Sequence, residues 1–222
     1  MIQLYFCPST AAMAPHILLE ELGVPFEKIL VDTAQGAHRT AAYKKLNPNG
    51  LVPVLVDADL VLYESAAICL HLCDTHPQAG LAPALGSAER AHFYKWLMWL
   101  TNTLQATLVV YFYPERWVKE GPRQLDGMAD LKEQAELKVG ALLDQLDSEL
   151  ARLESAIPLP WLLGKQFSAL DAYALMLCRW TRNFVSSPAR QRTHLGPYLQ
   201  RVLARPAVIR VFVAEGLAQP WV

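Results

Sequence analysis

The run NPNGLVPVLVDADLVLYESAAICLHL, Asn47 to Leu72, decides how the chain reads. Val52, Val54 and Val56 recur at the two-residue period of a strand, and Leu60 to Tyr63 form a second strand after the polar turn Asp57-Ala58-Asp59. The two make a hairpin. Glu64 and Ser65 close the second strand, and Ala66, Ala67, Ile68, Leu70 and Leu72 open an apolar helix for which Ser65 is the expected N-cap. Pro53 stands between two valines with no N–H to give a sheet, which places it at a strand's first residue or edge.

These features suit one kind of ligand. A cis peptide before Pro53 would turn the Val52 backbone outward and leave its N–H and C=O free to pair with an extended peptide. The helix N-terminus at Ser65 offers N–H groups to a carboxylate, and Glu64 is placed to meet an ammonium. A peptide-like zwitterion satisfies all three. On these residues, NPNGLVPVL followed by YESAAI resembles the glutathione-binding half of the cytosolic glutathione S-transferases, of the bacterial beta- and theta-like kind. The resemblance implies that Val52, beside Pro53, pairs with the cysteinyl backbone of glutathione and that Glu64 and Ser65 hold its γ-glutamyl end. It also implies glutathione as co-substrate and a symmetric homodimer with the cleft beside the interface.

The composition fits such a protein. The 222 residues are 53 % hydrophobic and 18 % charged with a net charge of −1, which argues against nucleic-acid or membrane-surface partners. Cys7, Cys69, Cys73 and Cys178 form no C-x-x-C pair, and the opening MIQLYF lacks the basic segment of a secretion signal, so a reduced, cytoplasmic protein is expected. Cys69, Cys73 and His76 share a helix face without an evident fourth ligand, and no metal is expected. Trp96 to Pro114 carries no charge, but Thr101, Asn102, Thr103, Gln105 and Thr107 interrupt it, which marks a helix packed between protein surfaces.

Taken in order, Ile2, Leu4 and Phe6 alternate as a first strand, Ala11 to Leu22 is helical up to Gly23, and Phe26 to Val31 is a second strand. A weak helix over Ala37 to Leu46 and the hairpin and helix above complete β-α-β-α-β-β-α, a small mixed sheet covered by helices. Residues 78–87 read as a linker. Beyond it the apolar residues fall at helical spacing, as in Phe93, Trp96, Leu97, Leu100 and Leu104 and again in Val139, Leu142, Leu143, Leu146, Leu150 and Leu153. Ser168 and Asp171 match a capping box, and Pro197 and Pro206 would introduce two last helices. The resemblance thus implies an α/β thioredoxin-like N-terminal domain over 1–77 plus an all-α helical-bundle C-terminal domain over 88–222. From Ala172 to Ala214 there are seven arginines and no acid, read either as a positive wall for anionic ligands or as a solvated surface with cross-subunit ion pairs.

The chemistry the resemblance implies is activation of the glutathione thiol for attack on small hydrophobic electrophiles or peroxides. A free thiol has a pKa of ~8.5, so little of it is thiolate at neutral pH, and a hydroxyl at the first strand-to-helix corner is the expected remedy. Thr10 is the first candidate and Ser9 the second, with a backbone N–H or another group as the remaining option. The cysteine of the beta class falls on Ala11 and its tyrosine on Phe6, so neither supplies the group. Cys7, before Pro8, reads as a buried thiol, and a glutaredoxin-like reading would need a cysteine at the corner itself. His38 matches a histidine used near the glycyl carboxylate, and Gln105, Val109 and Tyr113, with Trp117 beyond them, are expected to wall the second-substrate pocket. The competing reading is a non-catalytic glutathione-binding or protein-interaction module.

Overall fold

A computed structural model describes residues 1–186 and 188–222. Strand β1 (Ile2–Phe6), helix α1 (Met13–Leu22), strand β2 (Phe26–Leu30), the short α2 (Ala41–Lys44), the hairpin β3 (Val54–Asp57) and β4 (Leu60–Tyr63), and helix α3 (Ser65–Thr75) follow in that order. The sheet runs β2-β1-β3-β4, with β1 and β2 parallel and the other pairs antiparallel. This is the thioredoxin-like arrangement. Leu4 and Leu55 from the sheet bury against Ile17 and Leu18 of α1 and Ile68 of α3, so one face of the sheet becomes core.

Four local expectations need correction. Val52 lies outside the ladder, because β3 starts only after Pro53, at Val54. Ser65 is the first residue of α3 and not its N-cap; Glu64 holds that position with φ 73°, and the Ser65 hydroxyl donates to the Ala11 carbonyl at 2.9 Å. Helix α1 begins at Met13, since residues 9–12 are taken up by a turn described below. Pro197 is the third residue of its helix, where its missing N–H would have had no helical partner anyway.

The remainder is helical. Helix α4 (Ala88–Trp99) continues through a π-helical turn (Leu100–Gln105) into α5 (Ala106–Phe112). The 31-residue α6 (Gln124–Glu154) buries Val139, Leu142, Leu143, Leu146 and Leu150 along one face. Helix α7 (Ala169–Trp180) is buried from Ala169 to Arg179 and forms the centre of the bundle; α8 (Leu195–Leu203) and α9 (Pro206–Ala214) close it. Among the described residues no helix is long and apolar enough to cross a membrane. The uncharged stretch of α4 and α5 is accommodated otherwise: Thr101 and Thr107 donate to the Leu97 and Thr103 carbonyls, and Gln105 reaches Tyr173 of α7.

Much of the arginine-rich stretch binds within its own chain. Arg205 forks onto Glu21, Arg210 meets Glu20 and Arg192 meets Asp144. Two of these pairs tie α1 to α9 and its approach, and Arg90 with Asp74 ties α4 to α3. Within the bundle Asp171 is fully enclosed. It accepts from the Ser168 N–H (2.7 Å), the Ser168 hydroxyl (3.1 Å), the Leu162 N–H (2.9 Å) and the Tyr198 hydroxyl (2.7 Å). Burial pushes its pKa up while these four bonds pull it down. Asp171→Ala strands four buried donors and is expected to cost about 3 kcal/mol, read as a lower urea midpoint with an unchanged slope.

Candidate active site

The corner between β1 and α1 is built by residues far apart in the chain. Ser9 sits at φ 60°, and its N–H donates to Glu215 Oε2 at 2.9 Å. The other oxygen of Glu215 meets His16 Nδ1 at 2.8 Å, with both side chains shut off from solvent. Thr10 Oγ1 donates to the Cys7 carbonyl at 2.6 Å and accepts from the Ala12 N–H at 3.4 Å. A threonine hydroxyl has one proton, and this one is engaged inside the corner. Ser9 differs: its Oγ accepts from Arg179 Nε at 3.3 Å, which leaves the Ser9 proton available.

Arg179 is only 2 % exposed and its Nη1 also donates to the Trp221 carbonyl at 2.5 Å. Burial, then the neighbouring Arg182, push its pKa down to about 10, against the pull of Glu215. It therefore remains a cation at neutral pH.

A second wall is the loop before β3. Tyr43 Oη and Asn47 Nδ2 both donate to the Leu51 carbonyl, at 2.9 and 2.8 Å, and so fix the backbone next to Val52. Burial, then Tyr5, push the Tyr43 phenol up to about 12, which keeps it a donor. Gly50 has φ 62°, and a side-chain carbon there would stand 2.9 Å from the His38 carbonyl, so only glycine fits. The Val52–Pro53 peptide is cis, and the Val52 N–H and C=O have no hydrogen-bond partner among the described residues. His38 Nδ1 is likewise buried without a partner.

These parts enclose one cavity of about 530 Å³. Ser9, Thr10, His38, Val52, Pro53, Glu64 and Ser65 line it from the first half of the chain, and Gln105, Val109 and Tyr113 from the helical half. Trp117 is 64 % exposed and lies outside the lining. Sequence reasoning missed Arg39, Phe112, Arg116 and Trp180, which also line it, as does Arg182 from the arginine-rich stretch. Phe112 falls one helical turn beyond Val109 and could have been found by spacing; Arg39 and Arg116 follow no pattern.

The cysteines stand aside from this chemistry. Cys69, Cys73 and Cys178 are buried, and burial raises all three thiol pKa values, those of Cys73 and Cys178 to about 12. Cys7, expected to be buried, is partly exposed, with its Sγ 3.3 Å from Thr33 Oγ1. Among the described residues no group of three or more His, Cys, Asp or Glu side chains could hold a metal ion.

A thioredoxin-like sheet joined to a helical bundle, with a peptide-sized cleft between, defines a class of glutathione-using proteins, and comparison with known proteins identifies which. Residues 8–75 match the glutathione S-transferase N-terminal domain and residues 99–206 the glutathione S-transferase C-terminal domain. The chain belongs to the glutathione S-transferase family. It is 32 % identical to glutathione S-transferase GstB of Escherichia coli strain K12 over 211 residues, which is 91 % of this chain and 93 % of that one. Among solved structures, a sphingomonad glutathione S-transferase complexed with glutathione is 33 % identical at a TM-score of 0.79, covering 97 % of this chain and 100 % of that one. A Sulfitobacter glutathione transferase homologue with bound glutathione is 26 % identical at a TM-score of 0.85, covering 98 % and 99 %.

Two measurements check the site as built. Glu215→Ala leaves the Ser9 N–H and His16 without their partner and is expected to lower stability by about 3 kcal/mol in urea unfolding. A thiol reagent should modify Cys7 alone in the native protein and all four cysteines in denaturant, and Cys7→Ser should abolish the native reaction.

Proposed function

We propose that the cavity binds glutathione, holds its sulfur as a thiolate against Ser9, and delivers it to a small hydrophobic electrophile. In this reading residues 1–77 supply the glutathione site, 78–87 link, and 88–222 supply the wall for the second substrate. The Val52 N–H and C=O pair with the cysteinyl backbone, beside Pro53. Glu64 takes the γ-glutamyl ammonium, while the opening of α3 at Ser65 takes the neighbouring carboxylate. His38 and Arg39 stand toward the glycyl carboxylate.

The observation that carries the catalytic part is the different use of two adjacent hydroxyls. Thr10 donates its one hydrogen bond to the Cys7 carbonyl, whereas Ser9 accepts one from Arg179 and has its own O–H free to donate. Ser9 is therefore the better donor to a thiolate, and Thr10 shapes the corner that presents it. Arg179, a cation set behind Ser9, polarises the hydroxyl in the direction that favours a negative sulfur. In the reaction the sulfur lone pair attacks the electrophilic carbon, a C–S bond forms and the leaving group departs with its electron pair. Gln105, Val109 and Tyr113 hold the apolar body of the electrophile meanwhile.

We further place the protein in the cytoplasm as a homodimer. Its thiols are all free, as a reducing compartment keeps them, and the family resemblance supports the symmetric pair.

The test is the ultraviolet thiolate absorbance of bound glutathione, titrated in wild type, Ser9→Ala and Thr10→Ala. The bound thiol is expected to titrate roughly one to two units below the free one. Ser9→Ala should raise it by about one unit and lower kcat about tenfold, with a smaller effect from Thr10→Ala. A larger shift in Thr10→Ala would assign the donor to Thr10. Glutathione bound with a normally titrating thiol in wild type would leave a binding module in place of an enzyme.

A further inference from the structure

We propose, on the basis of the transferase reading above, that the second substrate is an electrophile with a flat apolar body and an anionic substituent, held by Arg116 and Arg182. The two guanidinium groups reach the cavity from different elements: Arg116 from the turn after α5, Arg182 from the turn that ends α7. Both line the cavity together with Phe112, Tyr113 and Trp180 of the helical half, the half that the transferase reading gives to the second substrate.

Neither arginine is neutralised by the protein. Among the described residues, carboxylates pair with Arg90, Arg152, Arg192, Arg205 and Arg210, but none pairs with Arg116 or Arg182. Arg116 lies over the Tyr113 ring, 4.0 Å from its centroid, and Arg182 donates from Nη1 to the Arg179 carbonyl at 3.1 Å. Among the described residues those contacts leave several N–H donors on each without a partner. Among the described residues the only carboxylate in the lining is Glu64, which the proposed function gives to the γ-glutamyl ammonium.

Cations gathered in one cleft repel one another, and Arg182 contributes to the depressed pKa of Arg179. An incoming anion relieves that repulsion, and the aromatic wall takes the rest of the molecule. For an aryl halide the sulfur of glutathione forms the new C–S bond, the C–halogen bond breaks and halide leaves with the electron pair. The anionic substituent is unchanged and stays on the guanidinium groups.

The experiment compares conjugation of a chloronitrobenzoate with that of its neutral carboxamide, each normalised to its uncatalysed rate with glutathione. Wild type should favour the carboxylate in kcat/KM by about tenfold at low ionic strength, and high salt should erode the preference. The Arg116→Gln/Arg182→Gln double variant should bring the ratio close to one. Equal rates for the two compounds in wild type would overturn the inference while leaving the transferase reading intact. A uniform loss for both compounds in the variant, with the ratio unchanged, would also overturn it and assign the arginines to glutathione. Conjugation of neither compound by wild type would sink both readings together.

Discussion

The site rests on one buried carboxylate. Glu215 follows the last helix, yet its oxygens hold the Ser9 N–H and His16 at the opening of the first helix. A carboxylate taken out of water is costly unless donors meet it, and here each oxygen has one. The consequence is mechanical as well as energetic. Ser9 is kept at φ 60°, which aims its hydroxyl between the Arg179 guanidinium and the cavity. The Arg205–Glu21 and Arg210–Glu20 pairs lie along the same α1–α9 seam and hold the halves in one register.

Around that seam the cavity divides its work. The N-terminal half contributes backbone and polar groups at fixed positions: the Leu51 carbonyl pinned by Tyr43 and Asn47, the unpaired Val52 amide, the opening of α3. The helical half contributes apolar area from Val109, Phe112, Tyr113 and Trp180, edged by Arg116 and Arg182. This partition matches the chemistry of a fixed peptide and a variable electrophile: hydrogen bonds with directions for the first, non-directional apolar contact for the second. The π-helical turn between α4 and α5 lies where Gln105 passes from the Tyr173 hydroxyl to the cavity edge.

The sequence was most legible where partners are close in the chain. The hairpin over Val54 to Tyr63, the Ser168–Asp171 box and the glycine that ends α1 all join residues a few positions apart, so their spacing announces them. The lining residues named from the resemblance were legible for a related reason, since Val52 and Pro53 lead into one hairpin and Glu64 and Ser65 open the helix it feeds. Thr10 illustrates the limit. Its residue type and position fit a hydrogen-bond donor, but the Cys7 carbonyl accepts its one donated bond, and the neighbouring serine is left with the free O–H.

By itself, then, the sequence determined the element order and the division into a mixed-sheet half and a helical half, because these follow from periodicity, caps and turns over a few residues, while the thioredoxin-like fold and the motif proposed to face glutathione were legible through the family resemblance. Only the tertiary structure decided which hydroxyl is left free to donate, that Arg179 and Glu215 stand behind it, and that Arg116 and Arg182 line the cavity while other arginines pair along the seam. The Ser9–Glu215 and Ser9–Arg179 bonds span separations of 206 and 170 residues. Such pairings depend on how whole helices pack, and no local spacing in the chain encodes them.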